Sequence, residues 1–198
     1  MVAEGQPTAP SGDSSDISGP GERPSFRAGA DRSAQAPLPE LVRELVYRYC
    51  RALDRLDAAL LRACFHADAQ IDMGAIYRGP ATGFVDVAMT FMRRMAITRH
   101  VVGNILCVGN GYESYVDAWH LIEDDRGPRE LLVRARYLQR VAQQNGYWAF
   151  SYHSEVIDFG AEQPADRSWF DAQRGLPRGS RGPEDASTQL MKSGGLAR

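Results

Sequence analysis

The sequence has no apolar run near the ~18–20 consecutive residues of a membrane-spanning helix, so no membrane partner is expected. Its first twenty residues show neither a basic start nor an apolar stretch, which argues against a secretory signal. Cysteine is scarce: Cys50, Cys64 and Cys107 form an odd set without C-x-x-C spacing, and fit neither a disulfide framework nor a zinc site. An excess of one charge is also missing. The chain carries 23 Lys+Arg against 25 Asp+Glu, a formal −2, without the basic surplus of a dedicated nucleic-acid binder. Lysine occurs once, at Lys192, an arginine bias that suggests a GC-rich genome and says nothing of chemistry. There is no G-x-G-x-x-G, P-loop, H-E-x-x-H or G-x-S-x-G pattern, and Gly109-Asn110-Gly111 reads as a hairpin turn, not a phosphate cradle. What is present is a 43% apolar share, sufficient for one globular domain, expected in the cytoplasm.

That apolar share is unevenly spread. Residues 1–36 are dominated by Gly, Pro, Ser, Ala and Asp, cannot bury enough surface to offset chain entropy, and are expected to be a disordered N-terminal tail. The domain itself is expected over 37–160. From Ala161 to the end the chain is again rich in Gly, Arg, Ser and Pro, and reads as a flexible C-terminal tail. Trp169 and Phe170 break that composition and suggest a flap docking on the domain.

Within the domain the period changes part-way. Val42, Leu45, Val46, Tyr49 and Leu53 recur at three- and four-residue steps, an amphipathic helix entered at Pro39 and ending about Arg55. Asp57 is placed to cap a second, shorter helix carrying Leu60, Leu61, Cys64 and Phe65. A short hairpin is expected around Gly74, from 70–73 to 76–78, then a third helix over 82–96. Beyond it, 100–108, 113–123, 129–141 and 147–158 are rich in Val, Ile, Tyr and Trp and separated by turn sequences. Helices followed by an antiparallel meander make an α+β fold with a pocket between the layers.

Several spaced motifs then converge on one family. Tyr49-x-x-x-x-Asp54-x-x-Asp57, Phe65-x-x-Asp68-Ala69, Thr98-x-His100-x-x-x-Asn104, Asn145-Gly146-x-Trp148 and Asp158-Phe159-Gly160 resemble, in order and spacing, the SnoaL-like group of the nuclear-transport-factor-two-like superfamily. The resemblance implies a cone-shaped, curved, mostly antiparallel sheet packed on three N-terminal helices. Relatives include polyketide cyclases, scytalone dehydratase, a bile-acid dehydratase and hexachlorocyclohexane dehydrochlorinase. It implies a homodimer joined through the outer sheet face and an enzyme without cofactor or metal. The expected partner is a small, largely apolar molecule of specialised metabolism.

The resemblance makes Asp54 and His100 the catalytic pair. A carboxylate that accepts one imidazole N–H fixes the tautomer and supports the imidazolium formed when the other nitrogen takes a proton. Tyr49 matches a tyrosine of the bile-acid dehydratase pattern, and His120 matches a second histidine of scytalone dehydratase. With Tyr137 on the next strand they are candidate groups for binding a substrate oxygen. Phe84, Ala88, Phe91, Met92, Met95, Val116 and Ala118 are the expected apolar walls. Asp54, His100 and His120 would suit ferrous iron on paper, but no short spacing preorganises them as ligands. His66 is expected at the surface, and Leu121 on the face opposite His120. The resulting expectation is a dehydratase or a cyclase/isomerase. An epoxide-opening enzyme and a non-catalytic binding module are the alternatives.

Overall fold

A computed structural model describes residues 39–193, and the tail expected over 1–36 lies outside them. The first helix, α1 (Pro39–Arg55), buries Val42, Leu45, Val46, Tyr49, Cys50 and Leu53 along one stripe. It stops because Leu56 turns left-handed (φ 55) and Asp57 N–H reaches back to Ala52 O at 2.9 Å, a helix-ending arrangement that normally favours glycine. Asp57 then caps α2 (Ala58–Ala63), its carboxylate accepting from Leu60 N–H at 2.9 Å. Strands β1 (Phe65–Asp72) and β2 (Arg78–Pro80) come next, then α3 (Ala81–Met92), so a strand pair interrupts the helical layer. The hairpin pairs 70–72 with 78–80, two residues later than expected, and α3 ends four residues early.

The rest is a meander of β3 (Ile97–Val108), β4 (Gly111–Asp124), β5 (Gly127–Gln144) and β6 (Tyr147–Pro164). Asn145 (φ 50) and Gly146 (φ 84) make the two-residue turn between β5 and β6, where both positions need the left-handed region. The sheet runs β2-β1-β6-β5-β4-β3, antiparallel except where β1 joins β6. It is an α+β fold with a curved, unclosed six-stranded sheet.

Register settles which side chains share the concave face, since directly opposed residues point the same way. His100 pairs with Ala118 and Thr98 with His120 across β3 and β4. Tyr137 opposes Glu155 and Gln139 opposes His153 across β5 and β6. With the buried stripes of α1 and α3, this face forms one core containing Tyr49, Phe65, Phe84, Val116, Tyr137 and Phe150.

Two local expectations are corrected. His66 is buried, its Nε2 2.8 Å from Ala142 O. Strand β6 does not stop at 158: residues 159–164 continue its ladder with 129–134, and Arg129 bonds Glu162 there at 2.5 Å. Helices α4 (Ser168–Ala172) and α5 (Ala186–Ser193) follow, in the stretch whose composition reads as a tail.

Candidate active site

The left-handed turn at Leu56 leaves the last carbonyls of α1 without intrahelical donors and puts Asp54 where the helix meets β3. Its carboxylate accepts three hydrogen bonds. Thr98 Oγ1 donates to Oδ1 at 2.9 Å, His100 N–H to Oδ2 at 3.1 Å, and His100 Nδ1 lies 2.7 Å from Oδ1. The backbone bond and the ring bond fall on the same carboxylate, so the imidazole is fixed in position and orientation. With Nδ1–H donated to an anion, Nε2 carries the lone pair. Among the described residues Nε2 has no hydrogen-bond partner.

His100 and Asp54 line a cavity of about 330 Å³ together with Tyr47, Cys50, Arg51, Arg55 and Val102. Their side chains are only 4% and 14% exposed, so the pair sits in low dielectric at the cavity wall. Burial pushes the Cys50 thiol well above its usual range, with Asp54 adding to the shift, so it stays protonated and is no nucleophile.

The C-terminal segment braces the helix that carries most of this lining. Arg181 sits across the ends of α1 and α3: Nη2 donates to Leu53 O at 2.9 Å, Nε to Asp54 O at 3.1 Å, and Nη1 to Met92 O and Met95 O at 2.7 and 2.8 Å. A cation among helix C-terminal carbonyls is favourable both as a cap and against the helix dipole. Arg181 Nη2 also reaches Thr98 Oγ1 at 3.3 Å, tying the segment to the hydroxyl that holds Asp54. Arg51 donates to Ser187 and Thr188, and Arg55 pairs with Asp185. The contact expected from Trp169 is not made there. Trp169 is 69% exposed, and the C-terminal side chains that reach the lining arginines are Asp185, Ser187 and Thr188.

The other expected site residues divide. His120 stacks edge-on to His100 with ring centroids 5.5 Å apart and has Nδ1 3.4 Å from Leu131 O. Its Nε2 is buried without a partner, and burial followed by the neighbouring His100 lowers its pKa to about 4. Tyr49 is not at the cavity: its hydroxyl is 3.1 Å from His153 Nε2 inside the core, with Tyr137 edge-on at 5.4 Å. Phe84, Ala88 and Val116 pack in the same core, Ala118 is buried beside His100 on the sheet, and Met92 and Met95 lend their carbonyls to Arg181. Phe91 faces outward, 38% exposed, because α3 buries the stripe of Phe84, Val85, Ala88, Met89 and Met92 and Phe91 lies at its edge.

Sequence reasoning missed Tyr47, Arg51, Arg55, Val102 and Arg181. Tyr47 and Arg51 precede Asp54 by seven and three residues on α1, helical spacings from which they could have been found. It also missed Glu155, half-buried on the concave face, whose pKa burial raises while His100 pulls it back. Among the described residues no three His, Cys, Asp or Glu side chains converge as metal ligands.

The comparisons with known proteins can be set beside this geometry. Residues 38–153 match the SnoaL-like domain. The chain belongs to the SnoaL-like family. Its fold is shared by a hexachlorocyclohexane dehydrochlorinase of the LinA type 2 form, at 17% identity and TM-score 0.54, covering 64% of this chain and 89% of the other. It is shared by LinA type 3 from Novosphingobium barchaimii, at 16% identity and TM-score 0.54, covering 64% and 90%. A candidate scytalone dehydratase from Novosphingobium aromaticivorans is similar at 16% identity and TM-score 0.55, covering 64% and 88%. No curated protein matches the sequence. At such identities the likeness of this SnoaL-like chain to those structures is one of fold. No helix among the described residues is long and apolar enough to cross a membrane.

Proposed function

We propose that this SnoaL-like protein is an acid–base enzyme in which His100 moves a proton and Asp54 orients and supports it. The observation that carries this reading is the 2.7 Å contact between His100 Nδ1 and Asp54 Oδ1 beside a cavity, with Nε2 left unpartnered. The reaction it suits is dehydration of a small hydroxylated carbonyl compound, or the related cyclisation or isomerisation. Nε2 takes the proton from carbon next to a carbonyl, the electron pair forms the double bond, and the hydroxyl leaves with the returned proton as water. Such proton transfer contributes ~10²–10⁴ in rate. The reading gives His120, edge-on to His100 and with an unpartnered Nε2, the role of accepting from a substrate hydroxyl as the neutral ring.

The test is to incubate the protein with β-hydroxy ketones and acids in D₂O and follow the α-proton and product by NMR. Wild type should exchange or eliminate that proton and His100→Ala should not. Equal exchange by both would rule the reading out. Opening of an epoxide panel without any α-exchange would move the assignment to epoxide chemistry.

A further inference from the structure

Two arginines share the cavity lining with His100, although a largely apolar substrate was the expectation from sequence. Tyr47, Arg51 and Arg55 follow one another at four-residue steps on α1, a stripe separate from the buried one. Both arginines line the same cavity as Asp54 and His100. Neither is well neutralised. Among the described residues Arg51 donates only to two hydroxyls, Ser187 Oγ at 3.1 Å and Thr188 Oγ1 at 3.4 Å, and Arg55 gives Nη1 to Asp54 O at 3.3 Å while its buried Nε finds no acceptor.

The nearest carboxylate to that Nε is Asp185, at 3.6 Å, an ion pair without a hydrogen bond. Asp185 is engaged elsewhere, accepting from Ser180 N–H and Ser187 N–H at 3.0 Å each and from the Ser187 hydroxyl. A guanidinium carries five donors, and a buried donor without an acceptor is costly. Two such groups one turn apart, with donors to spare beside a cavity, suit the two oxygens of a carboxylate.

We propose that Arg51 and Arg55 form an anion subsite for a substrate carboxylate, so that the molecule handled by Asp54 and His100 is a small organic acid. The position of the reacting end rests on the reading of His100 given above, whereas the subsite itself does not. Binding the acid there would hold the rest of the molecule in the cavity that His100 lines, and would replace the weak hydroxyl contacts of Arg51.

The full chain would be titrated with cyclohexanecarboxylate, with the matched carboxamide and with inorganic phosphate, following arginine Nε–H and backbone NMR signals. The carboxylate should bind at least about tenfold more tightly than the carboxamide, and should shift the Arg55 Nε–H signal. His100→Asn should keep that preference, and Arg51→Met with Arg55→Met should lose it. Arg51→Lys with Arg55→Lys should regain part of it while the backbone spectrum stays that of the folded protein. Equal binding of acid and amide, a preference surviving the double Met variant, or no carboxylate binding at millimolar concentration overturns the subsite. Phosphate binding more tightly than carboxylate overturns its assignment to an organic acid. Because His100→Asn is scored for binding alone, a failed proton-transfer reading and a failed subsite give different results.

Discussion

Two histidines on the concave face of the same sheet have opposite surroundings. His153 is fully buried at the closed end, with Nε2 3.1 Å from the Tyr49 hydroxyl and Nδ1 3.1 Å from Gln139 Nε2. Both nitrogens are used by neutral partners, and burial lowers its pKa to about 3. His100, at the open end, gives one nitrogen to a carboxylate and keeps the other free beside a cavity. The first arrangement locks a neutral ring into the core; the second leaves a base with its countercharge in place. Residue type and burial alone do not separate the two, and the identity of the partner does.

The contrast should show most strongly in turnover. His100→Ala and Asp54→Asn should each lose ~10²–10⁴ of the rate on a true substrate. The double variant should be barely worse than His100→Ala, because the two residues act as a unit. His153→Gln should keep most of the turnover in the folded fraction and lose about 1–3 kcal/mol of stability instead. If His153→Gln proved as damaging to turnover as His100→Ala at equal stability, the contrast would collapse.

Acid should act on the closed end next. In the unfolded chain His153 titrates near 6.5, in the folded one at about 3, so the unfolded state binds more protons between those values. Its contribution is fully present above pH ~6.5 and is lost as pH falls toward 3; His120, at about 4, adds the same trend. Urea midpoints between pH 7 and 4 should therefore fall with acid, by at most ~1.4 kcal/mol per unit per histidine. His153→Gln should flatten the slope. An unchanged slope would mean that His153 is not held neutral by burial.

Smaller effects separate the open end into parts. Arg181→Ala strips the donors from the carbonyl ends of α1 and α3 and should cost about 2 kcal/mol in thermal or urea unfolding. Arg181→Lys should restore only part, since an ammonium cannot span that fork of acceptors. Asp57→Ala, three residues from Asp54, removes an N-cap and should cost about 1 kcal/mol with no loss of turnover per folded molecule. Asp54→Asn should do the reverse.

Sequence carried the open end only in part. Asp54 and His100 could be named because each falls in a spaced motif; their side chains lie 2.7 Å apart. Asp57 could be named because a short polar residue before a new apolar run has few other uses. The C-terminal segment could not. Part of its hold is one arginine reaching backbone carbonyls, which every residue has, so Gly-, Arg- and Pro-rich composition disguises it. The end of β6 was hidden for a related reason: Glu162 and Gln163 pair with Arg129 and Glu130 on exposed strand and leave no apolar alternation. At the closed end, Gln139 and His153 face the core as hydrogen-bonded polar groups, where apolar patterning looks for aliphatic ones. The wall assigned to Phe91 failed because seven residues on from Phe84 bring it about 20° past the edge of the buried stripe, onto the exposed side of α3.

The most direct measurement is the ¹⁵N–¹H long-range spectrum of the histidine rings, taken near pH 8 in wild type and in Asp54→Asn. The Asp54–His100 account predicts His100 as the Nδ1–H tautomer with an unprotonated Nε2, a pattern lost in Asp54→Asn while His153 keeps its signals. A proton on Nε2 of His100, or a His100 pattern indifferent to Asp54→Asn, would contradict it.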